Sequence, residues 1–160
     1  VSSSGGVVVS LNSNGVAFGV TANASGSRGK GDGSDVSWTN THVLAGNTLT
    51  LDTIKSNFST FDHLTPDGIA VSDKTLDTMA KTYSTRPASI TNVLNGYVDD
   101  MVGFTSDGKG ARVVTSEMIS GKQMQLAIPY GATSEQMNAI AQSIQYAQSK
   151  GIQIVVTKIK

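Results

Sequence analysis

The 160-residue chain has no cysteine. Disulfide staples and thiolate metal sites are therefore excluded. Histidine is scarce, with only His42 and His63. A Ser–His–Asp triad would need one of those two imidazoles, and no Gly-x-Ser-x-Gly elbow is present. Charge is sparse as well. Charged residues make up 15% of the chain, against roughly 25% in ordinary globular chains. The 12 basic residues balance the 12 acidic ones. A net charge of zero argues against a domain that coats nucleic acid by charge alone, but leaves room for a local basic groove. No apolar run approaches the roughly 20 residues of a membrane span, so no stable membrane insertion is expected. The opening residues do not read as a signal peptide, which is compatible with a piece of a larger exported protein. Walker and paired-glycine nucleotide motifs are missing. The glycine-bearing stretches 29–33 and 107–110 do not join a strand directly to a helix and read as loops.

What is present is small, polar and uncharged: 20 Ser, 17 Thr and 17 Gly. The length suits one domain with a single core, or a small domain with an appendage. Composition changes near residue 53. Of the first 53 residues, 29 are Ser, Thr, Asn or Gly. Short β-friendly patches at 7–11, 16–20, 36–43 and 48–51 alternate with Gly- and Ser-rich gaps. Residues 1–53 thus read as a β-rich or flexible segment that adds little to the core, with 24–35 disordered. Residues 54–160 read as a compact α/β domain, a mixed sheet flanked by helices.

Within that domain, Thr65-Pro66-Asp67-Gly68 is a strong turn signal. It predicts a β-hairpin from 58–62 and 69–76. Pro87 precedes a helix over 89–101, carried by Ile90, Val93, Leu94, Tyr97, Val98 and Met101. Residues 102–105 and 111–115 predict a second hairpin around a flexible tip at 106–110. Met124, Leu126 and Ile128 alternate along a strand over 123–128. Thr133 and Gln136 form a capping box for the next helix, Gly151 ends it, and 152–159 is a β-branched strand. This strand–helix–strand order predicts a parallel pair.

Among the polar residues, Asp62, Ser72 and Lys74 draw together. If the first hairpin pairs through its turn, Asp62 lies beside the second strand, and Ser72 and Lys74 share one face. A carboxylate and an ammonium so placed can hold a divalent metal and stabilise charge on a phosphoryl group. On spacing alone, a solvent-exposed ion pair on a hairpin is the favoured reading.

The stretches 57–62 and 68–78, carrying these residues, resemble the nuclease toxins at the C-termini of contact-dependent growth inhibition (CdiA-type) exoproteins. The similarity continues through Ser89-Ile90, Tyr97-Val98-Asp99, 115–120, 125–129 and 142–160. Residues 41–50 resemble the filamentous-haemagglutinin repeats of the same exoproteins. The resemblance implies a fold like type II restriction endonucleases (PD-(D/E)XK-type) and a DNase that uses a divalent metal, zinc or magnesium. Asp62 matches the family's Asp and metal ligand. Ser72 and Lys74 match its Ser-x-Lys, with Ser72 at the metal and Lys74 orienting the nucleophile. The family's upstream Glu has no counterpart. Glu117 and Glu135 are the only glutamates, and both lie downstream, so His42, Asp52 or His63 are the residues that would substitute.

The function implied is an antibacterial toxin, displayed by its producer as part of a secreted, cell-surface exoprotein and acting on DNA in the cytoplasm of the target bacterium. A tRNA-cleaving RNase and a non-catalytic toxin-fold module are the alternatives. The expected partner is a cognate immunity protein, with the chain a monomer or in a 1:1 heterodimer. By analogy with the family, that protein would bind the hairpin tip Thr105, Ser106, Asp107, Gly108, Lys109, Gly110 and Ala111.

Overall fold

The computed structural model describes the backbone of Ser2–Ser3 (β1), Gly6–Val9 (β2), Thr21–Ser27 (β3) and Ser37–Val43 (β4), and residues 48–159, with side chains for 48–158. The elements of the second part are Leu49–Thr50 (β5), His63–Leu64 (β6), Ile69–Thr75 (β7), Lys81–Thr85 (α1), Ala88–Gly103 (α2), Ser106–Lys109 (β8), Arg112–Thr115 (β9), Gly121–Pro129 (β10), Ser134–Ser149 (α3) and Ile152–Ile159 (β11). Short 3₁₀ turns lie at Leu51–Thr53 and Ser116–Met118. Of the stretch 24–35, the residues up to Ser27 are strand rather than disordered, and the rest lies outside the described residues. So do the patch at 16–20 and the loop at 29–33.

A six-stranded mixed sheet has the order β2-β11-β10-β7-β6-β5. β10 runs parallel to both β7 and β11, as the strand–helix–strand pattern requires. β6 is antiparallel to β7 and β5, and β2 is antiparallel to β11. Alternation sorts the two faces. Met124, Leu126 and Ile128 of β10, with Ile152, Ile154 and Val156 of β11, are buried in the main core. The apolar stripes of α2 (Ile90, Leu94, Val98, Met101) and α3 (Ala139, Ile140, Ile144, Ala147) join the same core. The intervening residues Gln123, Gln125 and Gln153 are buried too. Two hydrogen bonds link their amides: Gln123 Nε2 donates to Gln153 Oε1 at 2.9 Å, and Gln125 Nε2 donates to Gln123 Oε1. An interior amide without a partner would be costly.

Helix α3 starts as its sequence dictates. Thr133 Oγ1 accepts from Gln136 N at 3.2 Å, and Gln136 Oε1 accepts from Thr133 N at 2.9 Å. The Gln136 amide also donates to the carbonyls of Thr78 and Tyr83, which ties the helix to the segment after β7. The far end of α2 is closed by Lys122, whose Nζ donates to Met101 O at 2.7 Å.

Two hairpins differ from the sequence reading. The first strand of the first hairpin is His63–Leu64, not 58–62. Phe58 and Phe61 are three apart and turn inward onto Phe104, with centroids 6.2 and 5.2 Å away. Asn57 and Thr60 adopt positive φ (57° and 70°), so the chain curls rather than extends. The second hairpin is shifted: 102–103 complete α2, β8 occupies 106–109, and the turn falls at Gly110-Ala111. The hydrogen-bonding capacity of α2's last turn wins over the β propensity of Val102.

Strand β5 and the buried Leu51, 1% exposed, both precede the change in composition. Leu51 N donates to Asp62 O at 2.9 Å. Replacing Leu51 by Ala in the full chain should cost about 2–5 kcal/mol of unfolding free energy in a denaturant titration, the usual range for a buried Leu. An unchanged midpoint would place the residues before 54 outside the core.

Candidate functional site

The paired strands β6 and β7 place side chains on alternate faces. The register sets His63 opposite Val71 and Leu64 opposite Ala70. One step further, Asp62 comes opposite Ser72, and its N–H donates to Val71 O at 2.8 Å. Asp62, Ser72 and Lys74 therefore share the face that carries Met124 and Leu126, their neighbours on β10. Helix α2 closes this face, and Tyr97 from α2 lies under Lys74, with Nζ 4.5 Å from the ring centroid.

His63 and Asp73 occupy the opposite face. His63 Nε2 and Asp73 Oδ2 are 3.0 Å apart. The backbone links the two faces: Asp73 N–H donates to Asp62 Oδ2 at 2.7 Å. Asp73 was not picked out by sequence reasoning. Its signal was the alternation itself, which puts residue 73 with 63 wherever 72 goes with 62. Nothing local in the sequence pointed to Tyr97.

Burial raises the Asp62 carboxyl above the ordinary carboxylate value, and the charge of Asp73 adds to this. The Asp73 N–H and the positive charges of His63 and Lys74 work against that rise. The hydrogen bond to Asp73 raises His63 above the ordinary imidazole value, against the effect of its burial. Ser72 is fully buried, and its Oγ has no hydrogen-bond partner. The half-buried Asp62 carboxylate and the buried, unsatisfied Ser72 hydroxyl are the two oxygen donors on this face that could hold a cation.

These two oxygens suit a hard cation whose remaining positions are filled by water and a phosphate oxygen. Among the described residues, no three His, Asp or Glu side chains come together as a metal cluster. His63 faces away from Ser72, toward Asp73. Asp52 is exposed in the 3₁₀ turn at Leu51–Thr53. The side chain of His42 lies outside the described residues. Of the hairpin tip, Ser106 to Lys109 form β8, and Asp107 turns back toward Lys55 and Ser59 instead of standing free.

Comparison with known proteins identifies the family. Residues 38–157 match the model of the CDI toxin restriction endonuclease-like domain. Residues 1–59 match that of the hemagglutinin repeat. The chain is similar to the deoxyribonuclease CdiA-o11 of Escherichia coli O157:H7 (strain EC869), 33% identical over 110 residues. It is also similar to the deoxyribonuclease CdiA of Yersinia pseudotuberculosis serotype O:3 (strain YPIII), 30% identical over 105 residues. These regions cover 67% and 65% of the chain, but only 29% and 10% of those relatives. Among solved structures, the CdiA-CT/CdiI toxin and immunity complex from Yersinia pseudotuberculosis aligns with a TM-score of 0.62 and 28% identity. The alignment covers 74% of this chain and 92% of that one. A restriction-endonuclease-like nuclease fold implies a divalent metal. The matched region runs from β4 to β11 and contains Asp62, Ser72 and Lys74, so the chain belongs to the family of CDI toxin restriction endonuclease-like domains.

Proposed function

We propose that the chain is a contact-dependent growth inhibition toxin unit that hydrolyses phosphodiester bonds in the DNA of a target bacterium. The observation that carries this reading is the convergence of Asp62, Ser72 and Lys74 on one sheet face, with the Ser72 hydroxyl buried and unsatisfied. The relatives named deoxyribonucleases favour DNA over the tRNA alternative. The hemagglutinin match supports a producer that carries the unit on a cell-surface exoprotein. Action in the target cytoplasm belongs to the same proposal, as does a change near 53/54 from haemagglutinin-like to toxin sequence, with Leu49–Thr50 and Leu51 packed into the toxin's sheet and core.

Asp62 and Ser72 would hold the metal. Magnesium suits this donor set better than zinc, because magnesium is commonly held by one or two carboxylates plus substrate phosphate. When bound, such a cation lowers the pKa of a water and withdraws charge from a phosphoryl oxygen. Lys74 brings a fixed ammonium to the same face, where it stabilises the negative charge that develops on the phosphate and orients the attacking water. Tyr97 limits where that ammonium can go. The Asp73 N–H fixes one Asp62 oxygen.

The cognate immunity protein would dock on the hairpin 105–111 and its strands, in a 1:1 complex. Among the described residues, β8 and β9 pair only with each other, so both outer edges are open to an added strand. Val113 on β9 is 44% exposed.

Asp62→Ala and Lys74→Ala should each abolish nicking of supercoiled plasmid in the presence of Mg²⁺ while keeping the far-UV spectrum of the parent. Parental nicking by either folded variant would remove that residue from the mechanism.

A second expectation concerns stability. Because the folded Asp62 carboxyl titrates above its unfolded value, its favourable contribution is present at low pH and is lost as pH rises through the raised value. Ionised Asp62 therefore weakens the metal-free fold at neutral pH. Asp62→Asn should melt no lower than the parent without metal, and Mg²⁺ should raise the melting temperature of the parent alone. An equal Mg²⁺ response in both would place the cation elsewhere.

For the partner, Val113→Asp should weaken immunity-protein binding at least about 100-fold, close to 2.7 kcal/mol, with nicking retained. Unchanged affinity by calorimetry would move the interface off β9.

A further inference from the structure

We infer that Asp107, on the hairpin, is a positioning residue for the Asp62 carboxylate. The inference rests on the nuclease reading of the Asp62 site and names a residue that acts on it from a distance.

The turn leading into Asp62 does not hold itself. Asn57 and Thr60 both have positive φ. For Thr, a β-branched residue, this conformation is rare and costs on the order of 1–3 kcal/mol. No regular strand begins until His63. Something outside the turn must stabilise its curl, and Asp107 supplies the polar part of that support. Asp107 Oδ2 accepts from Ser59 N at 2.8 Å, three residues before Asp62. Asp107 Oδ1 accepts from Lys55 Nζ and from Gly108 N, both at 2.8 Å. The carboxylate thus binds both arms of the turn and its own strand.

Asp107 is itself held in place. Gly108 packs so closely against β9 that a Cβ there would sit 2.2 Å from Arg112 O. Only glycine permits this approach, and it locks the neighbouring Asp107 in register with Val114, which is buried. The apolar part of the support is Phe104, just before β8, stacked on Phe58 and edge-on to Phe61. From Ser59 the path is short and hydrogen-bonded: Phe61 N donates to Ser59 O at 2.7 Å, and Asp62 N donates to Val71 O at 2.8 Å. A shift of Ser59 is therefore passed to Asp62 within three residues. The hairpin is a brace for the site rather than an independent arm, so a ligand that bends it also displaces the carboxylate.

The Lys55 contact separates the two roles of Asp107. Lys55 is 44% exposed, and a surface pair of this kind contributes little. The Ser59 N–H bond does the positioning. The test compares Asp107→Ala, Asp107→Asn and Lys55→Ala in the full chain. Plasmid nicking is measured with Mg²⁺, and the Asp73 amide, the donor to Asp62, is followed by ¹⁵N NMR. In Asp107→Ala, kcat should fall at least about 10-fold with KM for DNA within about twofold, since small displacements of a reacting group carry penalties of this order. The Asp73 amide resonance should move. Asp107→Asn keeps one oxygen acceptor for Ser59 N and should recover part of kcat and of the amide shift. It also serves if the alanine variant does not fold. Lys55→Ala should match the parent in both readouts.

An unmoved Asp73 amide in Asp107→Ala or Asp107→Asn overturns the inference, whether or not kcat falls. So does a Lys55→Ala defect as large as that of Asp107→Ala. If the parent chain itself does not nick DNA, the nuclease reading fails, and the amide shift alone decides whether Asp107 positions Asp62.

Discussion

One hydrogen bond, from Asp73 N–H to Asp62 Oδ2 at 2.7 Å, joins the parts of this fold that matter for its chemistry. It crosses between a two-residue strand and the central strand β7 at the point where regular pairing ends. On one side it holds an oxygen of the half-buried Asp62 carboxylate, on the sheet face that also carries Ser72. On the other it fixes Asp73, whose side chain meets His63 across the sheet. Without that donor, burial would leave one Asp62 oxygen unsatisfied, and a carboxylate in that condition protonates. The bond lowers the carboxyl's rise without cancelling it. The remaining imbalance is what a cation between Asp62 and Ser72 would offset.

The surroundings of this bond explain why the site sits on so slight a strand. β7 is paired along its length with β10, which is paired in turn with β11. That parallel core is packed by α2 and α3 and supplies the rigid side of the site. The β6 side is held by side chains instead: Phe58 and Phe61 in the core, and Asp107 on the turn. A rigid strand opposite a braced turn keeps Ser72 and Lys74 fixed while Asp62 depends on contacts distant in sequence. The hairpin β8–β9 is thus joined to the turn before Asp62 through the Asp107 carboxylate.

Much of this was legible from the sequence, for specific reasons. The α3 cap was readable because Thr133 and Gln136 satisfy each other locally. β7 and β10 were readable from their alternation, and β11 from its β-branched run. The grouping of Asp62, Ser72 and Lys74 followed from one turn signal and a period of two. The resemblance to CdiA-type toxins rested on the same residues. What was not legible depended on partners far along the chain. The turn signal at 65–68 predicts a strand over 58–62, but Phe58 and Phe61, three apart, instead line a turn that packs onto Phe104. Asp107 looked like a solvated tip residue, since its acceptors' partners lie about fifty residues earlier. The shift of the second hairpin came from α2 running on to Gly103, where Lys122 stabilises its end.

The central claim is that burial and the charge of Asp73 hold the Asp62 carboxyl above its ordinary value, and that a cation held by Asp62 and Ser72 would lower it. The most direct measurement is the titration of the Asp62 side-chain carboxyl by ¹³C NMR in the full chain, without and with Mg²⁺. The account requires a value above the ordinary carboxylate range without metal and a clear fall when Mg²⁺ is added. An ordinary value that Mg²⁺ leaves unchanged would contradict it.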